Sequence, residues 1–338
     1  DLVVLYVRYN ASSNGSIVFI HNNHFNTMAK VSIMLPDYNG GELVRESIES
    51  VLAQTYTDYV FYWIDNGSTK DNTREILHSY KDPRIVHVDV DVNDGTSSAY
   101  NAVLNKITTP WVAIIHADDL WYPTKLEKQM AFLEQHPDYC ILGTWYDYID
   151  IHSKVIGTSK EPLTTWEKVE ERYKANKMIV FCHPSIIFSR DVARAVGGFH
   201  QEFWPNDDAD MWQRMLEKGG KACIYPEVLT MYRIHNSATT YTHMAESNAK
   251  TRFAQYCMML RRSGKPEITF EDFMQQQKER SLIVRCKEAH TDLYYYHYKM
   301  AIRGVASHNK AAFIMHGIVC ALLNPSKVLD AIRKKSVK

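Results

Sequence analysis

From Lys30 onward the chain alternates short, nearly continuous apolar runs with stretches of helical spacing, and this alternation restricts what it can fold into. "VSIMLP" (31–36), "YVFYWID" (59–65), "RIVHVDV" (84–90) and "WVAIIHA" (111–117) are strand-length and apolar on both faces. Between them, "ELVRESIESVLAQ" (42–54) places Leu43, Val44, Ile48, Val51 and Leu52 at helical intervals. "STKDNTREILHSY" predicts a capped helix beginning near Ser68 or Thr69, and "SSAYNAVLNKI" predicts a third. Strands without a polar face need cover on both sides, so the pattern predicts a parallel sheet between two layers of helices. Such sheets bind ligands at the carboxyl ends of their strands. Here those ends carry Pro36-Asp37-Tyr38-Asn39, Asp65-Asn66-Gly67-Ser68 and His116-Ala117-Asp118-Asp119.

The second half has a different texture. "CILGTWYDYID" and the segment after it predict strands, "TWEKVEERYKANK" a polar helix and "PSIIFS" another strand. "DADMWQRMLEKGG" reads as a helix closed by glycine, and "ACIYPEVLTMYRIH" as one or two strands. From about Thr242 nearly everything is helix-forming, which predicts a helical extension over 242–338 behind a domain spanning 28–241. Residues 1–27 read as a leader or an added hairpin, with two strands flanking "NASSNG".

Bulk properties narrow the function classes. Lys+Arg and Asp+Glu are both 39, so no global basic field gathers nucleic acid. The six cysteines form no C-x-x-C pair, which argues against a zinc site or a disulfide framework and fits a cytoplasmic protein. No apolar run reaches the length of a membrane span, and the start lacks a signal-peptide layout. The apolar helical stripes "RFAQYCMML" and "AAFIMHGIVCALL" suit packing on the domain, a homodimer interface or a membrane surface. The basic amphipathic end "SKVLDAIRKKSVK" suits peripheral contact with anionic lipid as well as it suits a solvated helix end.

Three polar clusters carry candidate chemistry. Asp118 and Asp119 cap the next helix or hold a divalent cation, with Asp118 the preferred ligand. Asp207 and Asp208 stand at a helix start, where capping competes with a role for one of them as general base. Arg233 and His235 have side chains that meet phosphate oxygens or a metal.

Taken in order, the segments "VSIMLPDYNGGELVRESIESVLAQTY", "WIDNGSTKDNT", "NDGTSSAYNAVL", "HADDLWYPTKLEKQ", "HPSIIFSRDVARAVGGF", "DDADMWQRMLEKG" and "YRIH" resemble the family 2 glycosyltransferases of GT-A fold, from about residue 30 to 240. The resemblance implies a Rossmann-like α/β domain with a mostly parallel central sheet. It also implies inverting sugar transfer from a nucleotide-diphospho-sugar, most simply a UDP-sugar, to a glycan or lipid-linked acceptor. Pro36, Asp37, Tyr38, Asn39, Asp65, Asn66, His116 and Ala117 would bind the nucleotide. Asp118 with His235 would hold Mn2+ or Mg2+, and Asp208 would be the catalytic base. Asp119, His183, Asp207, Trp212 and Arg233 would face the sugar or acceptor. Asn66, Asp207 and His116 depart from the family pattern, standing where Asp, Glu and Asp are usual. The alternative from another class is a non-catalytic sugar-nucleotide or polysaccharide-binding module on the same fold.

Overall fold

A computed structural model describes the backbone of residues 9–10 and 17–21 and the whole of 29–90 and 95–329. Eleven strands form one sheet: β1 (Tyr9–Asn10), β2 (Ile17–His21), β3 (Val31–Asp37), β4 (Tyr59–Asn66), β5 (Ile85–Val90), β6 (Trp111–Ile114), β7 (Leu120–Trp121), β8 (Tyr139–Ile149), β9 (Val155–Ser159), β10 (Ile187–Ser189) and β11 (Lys221–Arg233). Their order is β1-β2-β5-β4-β3-β6-β10-β8-β11-β7, with β9 beside β8. The middle strands β5, β4, β3 and β6 are parallel, while β2 pairs antiparallel with β5 and β10 antiparallel with β6. The chain lays down β3, β4 and β5 in one direction and then returns to place β6 on the other side of β3. The crevice between the carboxyl ends of β3 and β6 is therefore the switch point where open α/β sheets take ligands.

Alternate residues of the central strands feed two cores. Met34, Val60, Tyr62 and Ile64 face α3 (Thr96–Leu104) and α7 (Asp207–Glu217). Val31, Ile33, Leu35, Phe61 and Trp63 face α1 (Leu43–Leu52), α2 (Thr73–Ser79) and α4 (Lys125–Gln135). The remaining helices here are α5 (Trp166–Lys174) and α6 (Arg190–Ala195). Helix α2 starts later than the predicted Ser68 or Thr69. The Asn39 side-chain oxygen takes the backbone N–H groups of Thr69 (3.1 Å) and Lys70 (3.0 Å), which holds that stretch as a loop. The segment "ACIYPEVLTMYRIH" makes one continuous strand to Arg233. The predicted turn "NASSNG" lies largely outside the described residues, but the strands on either side pair antiparallel, Tyr9 opposite Val18.

The chain divides into two compact units, residues 1–147 with 158–232, and residues 148–157 with 233–338. The second unit holds α8 (Thr239–Thr242), α9 (Met244–Arg262), α10 (Phe270–Glu279), α11 (Leu282–Ala306) and α12 (Lys310–Leu323). Its loop is fastened to the chain beyond β11: Ile234 N–H donates to the Ile149 carbonyl at 2.9 Å, and the Arg233 guanidinium donates to the carbonyls of Asp150 (3.1 Å) and Ile151 (3.2 Å). Helices α11 and α12 approach closely at Gly304, where a Cβ would come within 2.7 Å of the Phe313 backbone nitrogen.

Candidate active site

At the carboxyl end of β3 and β4, Asp37 lies opposite Asp65 in register, and Asp65 opposite Asp89 of β5. Asp65 is fully buried; its Oδ1 accepts the Ser68 N–H at 2.9 Å and its Oδ2 accepts Arg74 Nε–H at 2.5 Å. Asp37 is buried too, and neither of its oxygens has a hydrogen-bond partner among the described residues. Burial, aided by the charges of Asp65 and Asp71, pushes its pKa up to about 7. Gly40 is required above it, because a Cβ there would stand 2.3 Å from Asp37 Oδ1. Asn39 adopts φ +55, a region asparagine tolerates, and its N–H donates to Ser68 Oγ at 2.9 Å. Asn39 thus braces the loops that follow β3 and β4. Tyr38 is exposed there, its ring available for stacking, while Pro36 closes β3 and Asn66 is buried at the end of β4.

The second part of the site is built at the end of β6. His116, Asp118 and Asp119 offer ligand atoms that lie within 4.8 Å of one another. One imidazole and two carboxylates are a donor set that suits a divalent cation of the Mn2+ or Mg2+ kind. Neither acid caps the next helix, since α4 begins only at Lys125. His116 Nδ1 instead lies 3.1 Å from Asp119 Oδ2, and its Nε2 lies 3.3 Å from His183 Nδ1. Burial pulls the His116 pKa down, but Asp119, Asp118 and Asp208 outweigh it and the net shift is upward. His183 goes the other way: burial, reinforced by His116, holds it well below the ordinary histidine range. His183 is thereby a neutral ring beside the acids at pH 7.

Helix α7 brings the third part. Its first turn carries Asp207 and Asp208, where the helix dipole favours negative charge. Asp207 Oδ2 accepts the Ser97 hydroxyl at 2.5 Å, so it is anchored to the start of α3. Asp208 Oδ1 accepts the Ala209 N–H at 2.7 Å, and its Oδ2 lies 4.0 Å from His183 Nδ1. Burial first, and then the charge of Asp207, pushes the Asp208 pKa up to about 7. That is the poise of a general base working near neutrality.

The geometry therefore gathers His116, Asp119, His183 and Asp208 through a chain of close side-chain approaches, with Asp118 in the cation cluster and Ala117 half-buried between them. Two of the expected sugar or acceptor residues are buried. Trp212 lies among Phe188, Phe199 and His183, where its ring packs against the His183 ring. Arg233 is also buried, its guanidinium spent on the Asp150 and Ile151 carbonyls of the second unit. His235 belongs to that unit as well, with Nδ1 2.9 Å from Ser237 Oγ.

Three residues escape the sequence reading. Arg74 anchors Asp65, Ser97 anchors Asp207, and Tyr100 stacks on Phe199 and meets the His183 ring edge-on. Tyr100 is buried, and burial together with Asp207 and Asp208 pushes its phenol well above the usual range. The signal for Ser97 and Tyr100 was their position in "NDGTSSAYNAVL", the segment that opens α3; nothing local marked Arg74.

The profile of Glycosyl transferase family 2 matches residues 32–197. The Bacillus subtilis protein EpsE, which carries the glycosyltransferase name, is 31% identical over 218 residues, covering 63% of this chain and 76% of its own. The Escherichia coli UDP-Glc:alpha-D-GlcNAc-diphosphoundecaprenol beta-1,3-glucosyltransferase WfaP is 27% identical over 222 residues, 65% of this chain and 83% of that protein. Among solved structures, S. aureus TarS 1–349 superposes with a TM-score of 0.55 at 12% identity, over 88% of this chain and 91% of that one. The Pyrobaculum calidifontis mannosyltransferase PcManGT, solved with GDP-Man and Mn2+, gives 0.55 at 16% identity over 91% and 85%. These likenesses show the GT-A fold, and with the identity to EpsE and the matching profile they place the chain in glycosyl transferase family 2, as a glycosyltransferase.

Proposed function

We propose that the chain transfers a sugar from a nucleotide-diphospho-sugar to a hydroxyl of a glycan or lipid-linked acceptor, in one displacement that inverts the anomeric carbon. The observation that carries this reading is a buried carboxylate poised near pH 7, Asp208, reached through His183 from a His116/Asp118/Asp119 cluster at the switch point of the sheet. The nucleotide lies along Pro36, Asp37, Tyr38 and Asn39, with Asp65, Asn66, His116 and Ala117 around it. Asp118 is the principal ligand of Mn2+ or Mg2+, and Asp119 and Asp207 border the sugar. A bound cation supplies positive charge that offsets the charge developing on the departing diphosphate.

Asp208 does the proton chemistry. As the acceptor oxygen bonds to the anomeric carbon and the carbon–diphosphate bond breaks, the hydroxyl proton passes to Asp208 and the nucleoside diphosphate leaves with the bonding pair. Neutral His183, 4.0 Å away, adds no positive charge that would make Asp208 a weaker base. A UDP-sugar donor and a lipid-linked acceptor are supported by the relative WfaP, whose name specifies both. A lipid-linked acceptor also entails work at a membrane surface.

The test is Asp208→Asn with a donor-plus-acceptor product assay. Turnover should fall by about 10²–10⁴-fold, with donor binding changed only a few-fold. Retention of full turnover would remove Asp208 from the chemistry.

A further inference from the structure

Helix α12 is packed with its polar side inward. His316 and Cys320 are buried, His316 Nδ1 lying 2.7 Å from His297 Nδ1 of α11 and Cys320 Sγ facing the Tyr294 carbonyl at 3.8 Å. On the opposite side Ile314, Met315, Ile318 and Leu322 form one stripe, and they are 54–78% exposed. A continuous exposed apolar stripe of this kind marks a docking face. With 14 residues, α12 is about 21 Å long, short of the ~30 Å hydrocarbon core of a bilayer. No described helix is long and apolar enough to cross a membrane.

Charge decides what covers the stripe. Between Leu293 and Leu329 the chain has Lys299, Arg303, Lys310 and Lys327 and no acidic residue. A two-fold dimer through this face would bring together two copies of a segment with four basic residues and no acid, because such an interface is the same patch on both copies. Tyr295, Tyr296 and Tyr298 are exposed on α11, and Lys327 Nζ reaches Tyr295 Oη at 3.3 Å. Amphipathic rings and long cationic chains beside apolar residues are what an interfacial helix presents to headgroups.

We infer that the α12 stripe, helped by the basic residues and exposed tyrosines of the α11–α12 segment, docks on the surface of an anionic lipid bilayer without crossing it. This deepens the reading of a lipid-linked acceptor, yet the test is separate, because vesicle binding needs neither donor nor acceptor.

The full chain is sedimented with vesicles of phosphatidylcholine plus phosphatidylglycerol, and with vesicles of phosphatidylcholine alone. Partitioning should be at least about ten-fold greater on the anionic vesicles and should fall in high salt. Ile318→Asp with Leu322→Asp should abolish it. Lys310→Glu with Lys299→Glu, which leaves the stripe residues in place, should lower binding to the anionic vesicles alone. Donor hydrolysis without acceptor should be unchanged in both variants. Equal binding to both vesicle types overturns the inference. So does a dimer in lipid-free light scattering that Ile318→Asp dissociates while the unmutated chain ignores vesicles.

Discussion

At the scale of single residues, the site is defined by carboxyl groups that the fold makes reluctant to ionise. Asp37 and Asp208 are each pushed from the ordinary 3.8 up to about 7, and Asp207 is raised as well, burial being the largest cause in all three. A carboxyl whose folded pKa lies above its unfolded one contributes stability that is fully present below about pH 4. That contribution is lost as pH rises through the folded pKa, here by about pH 7 to 8. The ligand-free protein should therefore melt at a lower temperature at pH 8 than at about pH 5.5. Asp37→Asn removes one of these charges without changing shape. It should recover on the order of 4 kcal/mol at pH 8, several degrees of melting temperature, and only about half of that at pH 5.5. An equal gain at both pH values would mean that Asp37 is not the strained charge. Under the proposed mechanism activity has the opposite slope, because a general base at Asp208 works only when ionised. Below about pH 7 the rate should drop roughly ten-fold per pH unit, and Asp208→Asn should erase that slope.

Between elements, what matters is how α3 holds the approach to α7. Asn101 on α3 clamps the Phe199 backbone from both sides, its Nδ2–H donating to the carbonyl at 2.6 Å and its Oδ1 accepting the N–H at 2.9 Å. Gly198 fits against it with φ +70, where a Cβ would stand 2.3 Å from Asn101 Oδ1. One turn earlier, Ser97 fixes Asp207. Ser97 and Asn101 hold the residue before Asp208 and the segment that leads into α7, without touching Asp208 themselves. Ser97→Ala should lower kcat by about ten-fold with the donor KM little changed, since it frees the neighbouring carboxylate. Asn101→Ala should cost about 2–3 kcal/mol of stability through two buried backbone groups left unpaired. If Asn101→Ala unfolds at the temperature of the unmutated protein, the clamp is not what orders this segment.

The strands, the helices and the acids at their ends were legible in the sequence because each follows from a local period or a strand terminus. The partnerships were not, since Ser97 and Asp207 are 110 positions apart and Asp65 and Arg74 meet only through the curl of a loop. Trp212 shows the converse. The family resemblance put it with the sugar or acceptor residues, and one turn along α7 from Asp208 its ring is buried against His183, Phe188 and Phe199.

For the whole molecule, the distribution of function between two units can be read by heating it with ligands. The cluster His116/Asp118/Asp119 and the strand ends around Asp65, where the nucleotide is proposed to lie, belong to the first unit, whereas the apolar stripe of α12 belongs to the second. A ligand stabilises the part that binds it, by about 2.7 kcal/mol at a hundred times its Kd. UDP-, GDP- and dTDP-sugars screened by calorimetry with Mn2+ should include one nucleotide class that raises the transition of the first unit by several degrees. Excess EDTA, or Asp118→Ala, should abolish most of that shift, because the diphosphate would then lie against uncompensated carboxylates. Anionic vesicles should leave this transition alone and move the one belonging to the helices. Stabilisation that survives EDTA would remove the cation from donor binding.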